Sequence, residues 1–194
     1  MKKLAVFVSG GGTDLQSIID AVEAGKLKAE ISVVVGSKDG IYALERAKKA
    51  NIPTLVFKKA DYESLNLMFE DIIAELKRRG VDLIVLAGYL SRLTPNIVKA
   101  FERRIINIHP SLIPKYCGDG MYGKRVHEAV VKNKEKISGA TVHYVDEGTD
   151  TGEIIAQTTV PVYEDDTADT LAARVLEAEH ILLPETLIKI VENL

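Results

Sequence analysis

The sequence predicts an α/β fold, with a mainly parallel central sheet and antiparallel strands added near the C-terminus. Short, wholly apolar runs alternate with segments of helical periodicity through the first hundred residues, which is typical of parallel strands buried on both faces. Two segments of alternating polarity then follow one another late in the chain, as expected for an antiparallel pair. With 194 residues, 46% of them hydrophobic, the chain can bury a sizeable core. We therefore predict a single domain over residues 1–194.

The N-terminal half supplies four strands of the predicted sheet and the helices between them. Apolar runs predict strands at residues 4–8, 31–35, 54–57 and 83–87, and helical periodicity predicts helices at 41–50 and 61–79. A further helix begins at Thr13, and its apolar face consists of Leu15, Ile18, Ile19 and Val22. Thr13 and Gln16 have the spacing of a capping box. Right-handed crossovers between these strands would give a Rossmann-like three-layer sandwich.

The C-terminal half begins with an apolar strand at residues 105–109. Pro110 ends this strand, because proline cannot donate a hydrogen bond to a sheet. Pro95 marks the start of a short helix before the strand, and helical periodicity predicts another helix at 124–132. Alternation predicts strands at 138–145 and 154–162. A last helix begins at residues 166–167, and we expect Pro184 to kink or break it.

Composition excludes several classes of function. The net charge is −3 and acids and bases are interspersed, so we expect no binding to nucleic acid. Cys117 is the only cysteine, which excludes an intrachain disulfide and indicates a reducing compartment. No apolar run is long enough for a signal peptide or a membrane span, so we expect a cytoplasmic protein with no membrane partner. The four histidines lack the spacing of metal ligands, and no metal is predicted. The sequence leaves a monomer and a homodimer open.

A glycine turn follows the first predicted strand. Ser9 precedes three glycines, and the helix then begins, so that free N–H groups and the positive end of the helix dipole point at one place. This order predicts a phosphate site at residues 10–14. Leu15 occupies the position of the third glycine of a dinucleotide motif, and no Walker lysine follows, so a small phosphorylated ligand is favoured over NAD or ATP. The alternative is a turn that uses glycine only for backbone freedom.

Asn107 and His109 are the first candidates for chemistry. Alternation places both on one side of the strand that Pro110 ends, at the carboxyl edge where open α/β sheets bind ligands. Asp150 lies in a later acidic loop, at residues 146–152. An amide, an imidazole and a carboxylate suit acyl transfer to an amine: Asn107 and protonated His109 would stabilise the oxyanion, and Asp150 would raise the pKa of His109. The alternatives are polar residues that only bond the following loop, or covalent catalysis by Ser111 or Cys117, whose sequence surroundings do not support it.

Five segments together resemble a known family. Residues 9–16, 86–89, 107–114, 139–143 and 150–152 are similar to the corresponding motifs of phosphoribosylglycinamide formyltransferases, a family of folate-dependent enzymes. The resemblance runs from Lys3 to about Pro184, and its Asn-x-His-Pro-Ser-Leu-x-Pro block is highly specific. It implies formyl transfer from 10-formyltetrahydrofolate, as the donor cosubstrate, to the amino group of glycinamide ribonucleotide in purine synthesis. It also implies catalytic roles for Asn107, His109 and Asp150.

The resemblance implies binding residues as well. Those matching the family's ribonucleotide site are Gly12, Thr13, Asp14 and Glu179; those matching its folate site are Leu90, Ser91, Arg92, Leu93, Asp146, Glu147, Gly148, Thr149 and Asp150. Residues 1–100 would then form a phosphate-binding half, and residues 101–194 a catalytic and folate-binding half. Several positions depart from the family pattern: Asp14 where Asn is common, the order Ser91-Arg92, Leu65 and Leu176 in place of polar residues, and a longer loop at 117–124.

Three rival interpretations remain. A methionyl-tRNA formyltransferase would share Asn107, His109 and Asp150, but such enzymes carry an additional basic C-terminal domain, and the negative net charge here disfavours tRNA. A regulatory module could bind a phosphorylated metabolite or a folate without turnover, although the three polar residues disfavour it. A nicotinamide oxidoreductase is disfavoured by the missing third glycine.

Overall fold

The computed structural model describes residues Met1 to Leu194 and contains one seven-stranded sheet flanked by helices. The strands are β1 (Lys2–Val8), β2 (Ala29–Gly36), β3 (Thr54–Val56), β4 (Leu83–Leu86), β5 (Ile105–His109), β6 (Ile137–Tyr144) and β7 (Ile154–Pro161). The helices are α1 (Thr13–Glu23), α2 (Tyr42–Lys49), α3 (Leu65–Arg79), α4 (Pro95–Ala100), α5 (Lys124–Lys132) and α6 (Ala168–Asn193).

The order of strands across the sheet is β3-β2-β1-β4-β5-β6-β7. Neighbours from β3 to β5 pair in parallel, whereas β6 runs antiparallel to both β5 and β7. This topology confirms the predicted fold class. Because β1 pairs with β2 on one side and with β4 on the other, the direction of winding reverses beside β1. Open α/β sheets bind ligands at the carboxyl ends of the strands near such a reversal.

Helices cover both faces of the sheet. The larger core, of 29 buried residues, includes side chains from α1, α2, α5 and α6. The smaller core, of 15 buried residues, lies on the other face and includes side chains from α3 and α4. The residues of β1 from Leu4 to Val8 contribute alternately to the two cores. Both faces of the strand are therefore buried, which explains why its sequence is an unbroken apolar run. No helix combines the length and the apolar character that crossing a membrane requires.

Three local expectations were wrong. The capping box at Thr13 does not form: Gly12, with φ of 72°, is the N-cap of α1, and no side chain caps the helix. Helix α3 begins at Leu65 rather than at residue 61, because the Ser64 side chain accepts a hydrogen bond from the Leu67 N–H and caps it there. The break expected at Pro184 does not occur, because α6 continues through this residue, whereas the predicted start of the helix is confirmed by a capping box at Thr167.

Candidate active site

A cavity of about 760 Å³ opens beyond the carboxyl ends of β4 and β5. Its wall is built by the segment after β4, the end of β5, the loop before α5, the loop after β6 and one face of α6. A volume of this size suits a small ligand or cofactor. Most of the predicted site residues line it: Asp14, Leu90, Ser91, Arg92, Leu93, Asn107, His109, Asp146, Gly148, Thr149, Asp150 and Glu179.

Three predicted site residues do not line this cavity. Thr13 borders a second groove, formed by α1 and α6 together with Arg46. Glu147 lies in the loop after β6 and pairs through Oε1 with Lys99 Nζ, at 3.6 Å. Gly12 is enclosed by α2: a Cβ atom there would lie 2.5 Å from the Cβ of Ala43. Gly12 therefore has a packing role that is independent of any ligand.

Asn107 is held by a residue that the sequence interpretation left without a role. It pairs directly with His143 across strands β5 and β6, and its Nδ2 lies 3.1 Å from His143 Nε2. His143 Nδ1 lies 2.9 Å from the Tyr144 carbonyl oxygen, which can only accept a hydrogen bond, so Nδ1 carries the proton of the neutral ring. His143 Nε2 then accepts from Asn107. One amide hydrogen of Asn107 is used in this way, and the second remains for a ligand.

His109 is buried, with 5% of its surface exposed. Its Nε2 donates to the Tyr116 carbonyl oxygen at 2.9 Å, and its Nδ1 lies 3.7 Å from Asp150 Oδ2. Burial lowers the pKa of His109, and the Tyr116 carbonyl and the Asp150 charge raise it by less. The expectation that Asp150 keeps His109 protonated is therefore wrong for this structure. The carboxylate acts in the expected direction, but the desolvation of the imidazolium outweighs it.

Asp150 occupies a left-handed backbone conformation, with φ of 57°. Its Oδ2 accepts a hydrogen bond from the Gly118 N–H at 2.9 Å, and its Oδ1 lies 3.6 Å from His143 Nε2. Burial raises the pKa of Asp150, but His143, the Gly118 N–H and His109 together lower it below the usual value. Asp150 is therefore an anion at neutral pH, and it faces both His109 and His143.

The glycine turn leaves the start of α1 open to a ligand. The first N–H groups of a helix have no partner within it, and no side chain supplies one here. Arg46 Nε donates to the Gly11 carbonyl oxygen at 2.8 Å and so holds the turn against α2. Uncapped N–H groups at a positive dipole end are suited to an anion.

Ser9 joins this turn to the segment after β4. Its Oγ accepts hydrogen bonds from the Leu90 N–H at 3.0 Å and from Ser37 Oγ at 2.8 Å. Ser9 is buried, so these bonds set the spacing between the start of α1 and residues 90–93. The proposed phosphate and folate segments are thereby connected through one hydroxyl group.

Comparison with known proteins decides the family. The model of the formyl transferase domain matches residues 2–187, nearly the whole chain. This chain belongs to the formyl transferase family. The site of Asn107, His109, His143 and Asp150 therefore lies in a formyl transferase fold.

Two relatives and one solved structure illustrate the similarity. The chain is 46% identical over 184 residues to the chloroplastic phosphoribosylglycinamide formyltransferase of Vigna unguiculata, covering 95% of this chain and 59% of the relative. It is 42% identical over 185 residues to phosphoribosylglycinamide formyltransferase of Haemophilus influenzae, covering 95% and 84% respectively. The crystal structure of glycinamide ribonucleotide transformylase 1 from Symbiobacterium toebii superposes with a TM-score of 0.94 at 36% identity, covering 100% of this chain and 89% of that one.

This member of the family spans only part of some relatives. It covers 59% of the Vigna unguiculata protein, 66% of an Arabidopsis thaliana relative, and 14% of a trifunctional purine biosynthetic protein of Drosophila melanogaster.

Two residues of this formyl transferase that the sequence interpretation left without a role belong to the site. His143 was visible in the sequence as the polar member of an alternating strand, but its pairing with Asn107 depends on the register of β5 and β6. His127, on α5, also lines the cavity, and its buried Nδ1 has no hydrogen-bond partner. Burial lowers the pKa of His127, and the charge of His109 lowers it further. Periodicity alone does not distinguish such a histidine from one in a core.

The positions that depart from the family pattern have different surroundings. Leu65 packs against the smaller core, away from the cavity, whereas Leu176 lines the cavity and contributes apolar surface. The longer loop at 117–124 also borders the cavity. Its Asp119 accepts a hydrogen bond from Thr149 Oγ1 at 2.9 Å, and Gly118 bonds Asp150. These two hydrogen bonds connect the loop at 117–124 to the loop after β6.

Proposed function

We propose that this chain transfers a formyl group from 10-formyltetrahydrofolate to the amino group of glycinamide ribonucleotide, a step of purine synthesis. The observation that carries the proposal is the convergence of Asn107, His109 and Asp150 on one cavity. The names of the relatives support the substrate assignment.

Attack of the amine on the formyl carbon creates an oxyanion, and Asn107 is suited to stabilise it. The Asn107 amide is oriented by His143 before any substrate binds. Its second N–H can therefore meet the developing charge without reorganisation, which is the main requirement of an oxyanion site.

His109 contributes through its Nδ1. Because Nε2 is committed to the Tyr116 carbonyl, Nδ1 is the ring nitrogen available to gain a proton as negative charge develops nearby. Burial favours the neutral ring beforehand, and the oxyanion favours the imidazolium in the transition state. His109 thus responds to the charge that the reaction creates.

Asp150 is suited to accept the proton that the attacking nitrogen loses. The attacking nitrogen loses a proton, and the folate nitrogen N10 gains one as its bond to the formyl carbon breaks. Asp150 is an anion held between His109 and His143, so it can accept the proton of the attacking nitrogen and pass it to Nδ1 of His109, after which the restored carboxylate stabilises the imidazolium. The proton is then delivered to N10 on release of the tetrahydrofolate.

The two substrates would bind at separate places, the folate in the cavity and the ribonucleotide phosphate at the edge of the cavity that Asp14 lines. The ribonucleotide phosphate would lie at the start of α1, on backbone N–H groups of Gly12, Thr13 and Asp14, with Glu179 near its ribose. The folate would contact residues 90–93 and the loop at 146–150. Asp146 Oδ1 accepts hydrogen bonds from the Gly148 N–H and Thr151 Oγ1, so its carboxylate shapes the loop, which leaves backbone groups to face the ligand.

A direct assay tests the proposal. Purified protein, glycinamide ribonucleotide and 10-formyltetrahydrofolate should yield formylated ribonucleotide and tetrahydrofolate in equal amounts, and Asn107→Ala should lose most of this activity. Methionyl-tRNA as acceptor should give no formylated product. Transfer to methionyl-tRNA but not to the ribonucleotide would overturn the proposal, as would binding of both substrates without turnover.

The remaining features fit a small-molecule enzyme in the cytoplasm. Cys117 is a free thiol, which suits a reducing compartment, and the proposed reaction needs no metal. The proposed partners are the two substrates alone, in a monomer or a homodimer.

A further inference from the structure

We propose that Tyr116 is a positioning residue for formyl transfer, because its side chain holds the main-chain carbonyl that decides which nitrogen of His109 carries the proton. The inference rests on the proposed function, in which Nδ1 of His109 is unprotonated before attack and gains a proton as the oxyanion forms. Tyr116 itself does not line the cavity, so it would act only through His109.

Two oxygen acceptors flank the ring of His109. The Tyr116 carbonyl oxygen lies 2.9 Å from Nε2, and Asp150 Oδ2 lies 3.7 Å from Nδ1. A neutral imidazole has one N–H, so it can donate to only one of these two oxygens. The shorter distance assigns the proton to Nε2, although a carboxylate at equal distance would attract it more strongly, because the carboxylate is charged. The tautomer of His109 therefore depends on how firmly the Tyr116 carbonyl is held in place.

The side chain of Tyr116 holds this carbonyl from the end of α5. The backbone of Tyr116 has φ of 53°, in the left-handed region that residues other than glycine rarely adopt, and such a conformation persists only where surrounding contacts determine it. The hydroxyl group donates to Glu135 Oε1 and accepts from Asn133 Nδ2, each at 2.9 Å. The ring packs against the larger core. Because Asn133 is the C-cap of α5, these contacts fix Tyr116 to the end of a helix.

The same short segment also holds Asp150. Gly118, two residues beyond Tyr116, donates its N–H to Asp150 Oδ2 at 2.9 Å. This is the oxygen that faces Nδ1 of His109, so the Gly118 N–H competes with Nδ1 for it. If the side chain of Tyr116 no longer held the segment, the ring proton would move to Nδ1 and pair with Asp150. A ring protonated at Nδ1 cannot accept a proton there, so His109 would lose its proposed role.

Nuclear magnetic resonance measures the tautomer without any substrate. In protein labelled with ¹⁵N-histidine, protonated and unprotonated ring nitrogens have well-separated chemical shifts, and the signals of His109 are those that disappear in His109→Gln. At pH 8, where burial keeps the ring neutral, the wild type should show a protonated Nε2 and an unprotonated Nδ1. In Tyr116→Ala, which removes both the ring and the hydroxyl group, the proton should move largely to Nδ1. Tyr116→Phe should give an intermediate result, because only the hydroxyl group is lost.

Steady-state kinetics provide the second readout. In each variant, kcat should fall in proportion to the fraction of His109 that keeps its proton on Nε2, while the KM values for both substrates stay near those of the wild type. For Tyr116→Ala we expect a fall of about tenfold or more, since a positioned acid–base group contributes about 10²–10⁴ in rate.

Lys115→Ala is the matched control. Lys115 Nζ also donates to Glu135 Oε1, at 3.0 Å, but its side chain is 66% exposed and its removal leaves the bonds of the Tyr116 hydroxyl group intact. This variant should match the wild type in both tautomer and kcat.

Two results would overturn the inference while leaving the proposed function intact. One is a proton that stays on Nε2 in folded Tyr116→Ala and Tyr116→Phe, and the other is a change of tautomer without a fall in kcat. If Tyr116→Ala does not fold, the same two measurements on Tyr116→Phe and on Glu135→Ala, which removes the acceptor of the hydroxyl group, decide the question. A wild type that has the expected tautomer but transfers no formyl group to the ribonucleotide would instead reject the proposed function, and the catalytic role of Tyr116 with it.

Discussion

Asn107 and His143 face each other across strands β5 and β6, and the amide of Asn107 donates to the imidazole of His143 over 3.1 Å. The other nitrogen of His143 is committed to the Tyr144 carbonyl. The proposed oxyanion donor is therefore oriented by the sheet itself, through a cross-strand pair whose register the backbone hydrogen bonds determine.

His143→Ala should lower kcat by about tenfold to a hundredfold with little change in either KM, because Asn107 would lose its orientation while the binding segments stay in place. An oxyanion donor is worth about 10²–10³ in rate, and a misdirected donor should lose part of that. Adding His143→Ala to Asn107→Ala should lower kcat much less than His143→Ala lowers it in the wild type. Independent effects of the two substitutions would show that His143 does not act through Asn107.

Asp150→Asn should lower kcat strongly and leave ribonucleotide binding nearly intact. Asp150 raises the pKa of His109 against the larger effect of burial, so its removal lowers that pKa further. Because the proposed mechanism requires a neutral His109 before attack, the remaining activity should persist to a lower pH than in the wild type as the pH falls. The pH profile of kcat measures this shift. In a His109→Ala background, Asp150→Asn should lower kcat far less than in the wild type, because the two residues act together on the charge that the reaction creates. If the losses in kcat from the two substitutions simply multiplied, His109 and Asp150 would not be coupled.

Gly12→Ala should destabilise the fold, whereas Gly11→Ala should not. Gly12 has φ of 72°, and an added Cβ would lie 2.5 Å from the Ala43 Cβ and 2.7 Å from its Cα, while nothing lies within 4 Å of one at Gly11. Strain and overpacking of this kind typically cost about 1–3 kcal/mol each. Urea denaturation of the two variants should show a lower midpoint for Gly12→Ala alone. Equal midpoints would mean that the turn adapts without cost.

Gly11 is consequently the better position for testing the phosphate site. A bulky residue at Gly12 would disturb α2 before it blocked a ligand, so a raised KM there would be ambiguous. Gly11→Val should raise the KM for the ribonucleotide in a well-folded protein and leave the KM for the folate near that of the wild type. An unchanged ribonucleotide KM would move the phosphate away from this turn.

A folate analogue should protect two segments from hydrogen exchange more than the glycine turn. Residues 90–93, and residues 146–150 except Glu147, border the cavity around His109, so an analogue bound there would bury amides of both segments. Residues 10–14 should gain less protection, and glycinamide ribonucleotide should reverse the order. Equal protection of all three segments by either ligand would contradict two separate subsites.

The sequence alone was sufficient for the fold class and for the position of two proposed catalytic side chains. Unbroken apolar runs mark strands covered on both faces, and β1 to β5 were recognisable for that reason. Asn107 and His109 followed from alternation and from Pro110, because a side chain's direction along a strand is a local property. The glycine turn likewise predicted an open helix start, although the capping box assigned to Thr13 was wrong because Gly12 occupies the cap position, in contact with Ala43.

Only the tertiary structure decided which side chains meet and how strongly they are desolvated. The pairing of Asn107 with His143 depends on sheet register. The presence of Asp14 and Glu179 at one cavity depends on the packing of α1 against α6, because the two residues are 165 positions apart in sequence. The net lowering of the His109 pKa also depends on packing, since a neighbouring carboxylate could be anticipated from sequence but the larger cost of burial could not. Proton affinities are set by all the atoms around a group, and that environment exists only once the chain has folded.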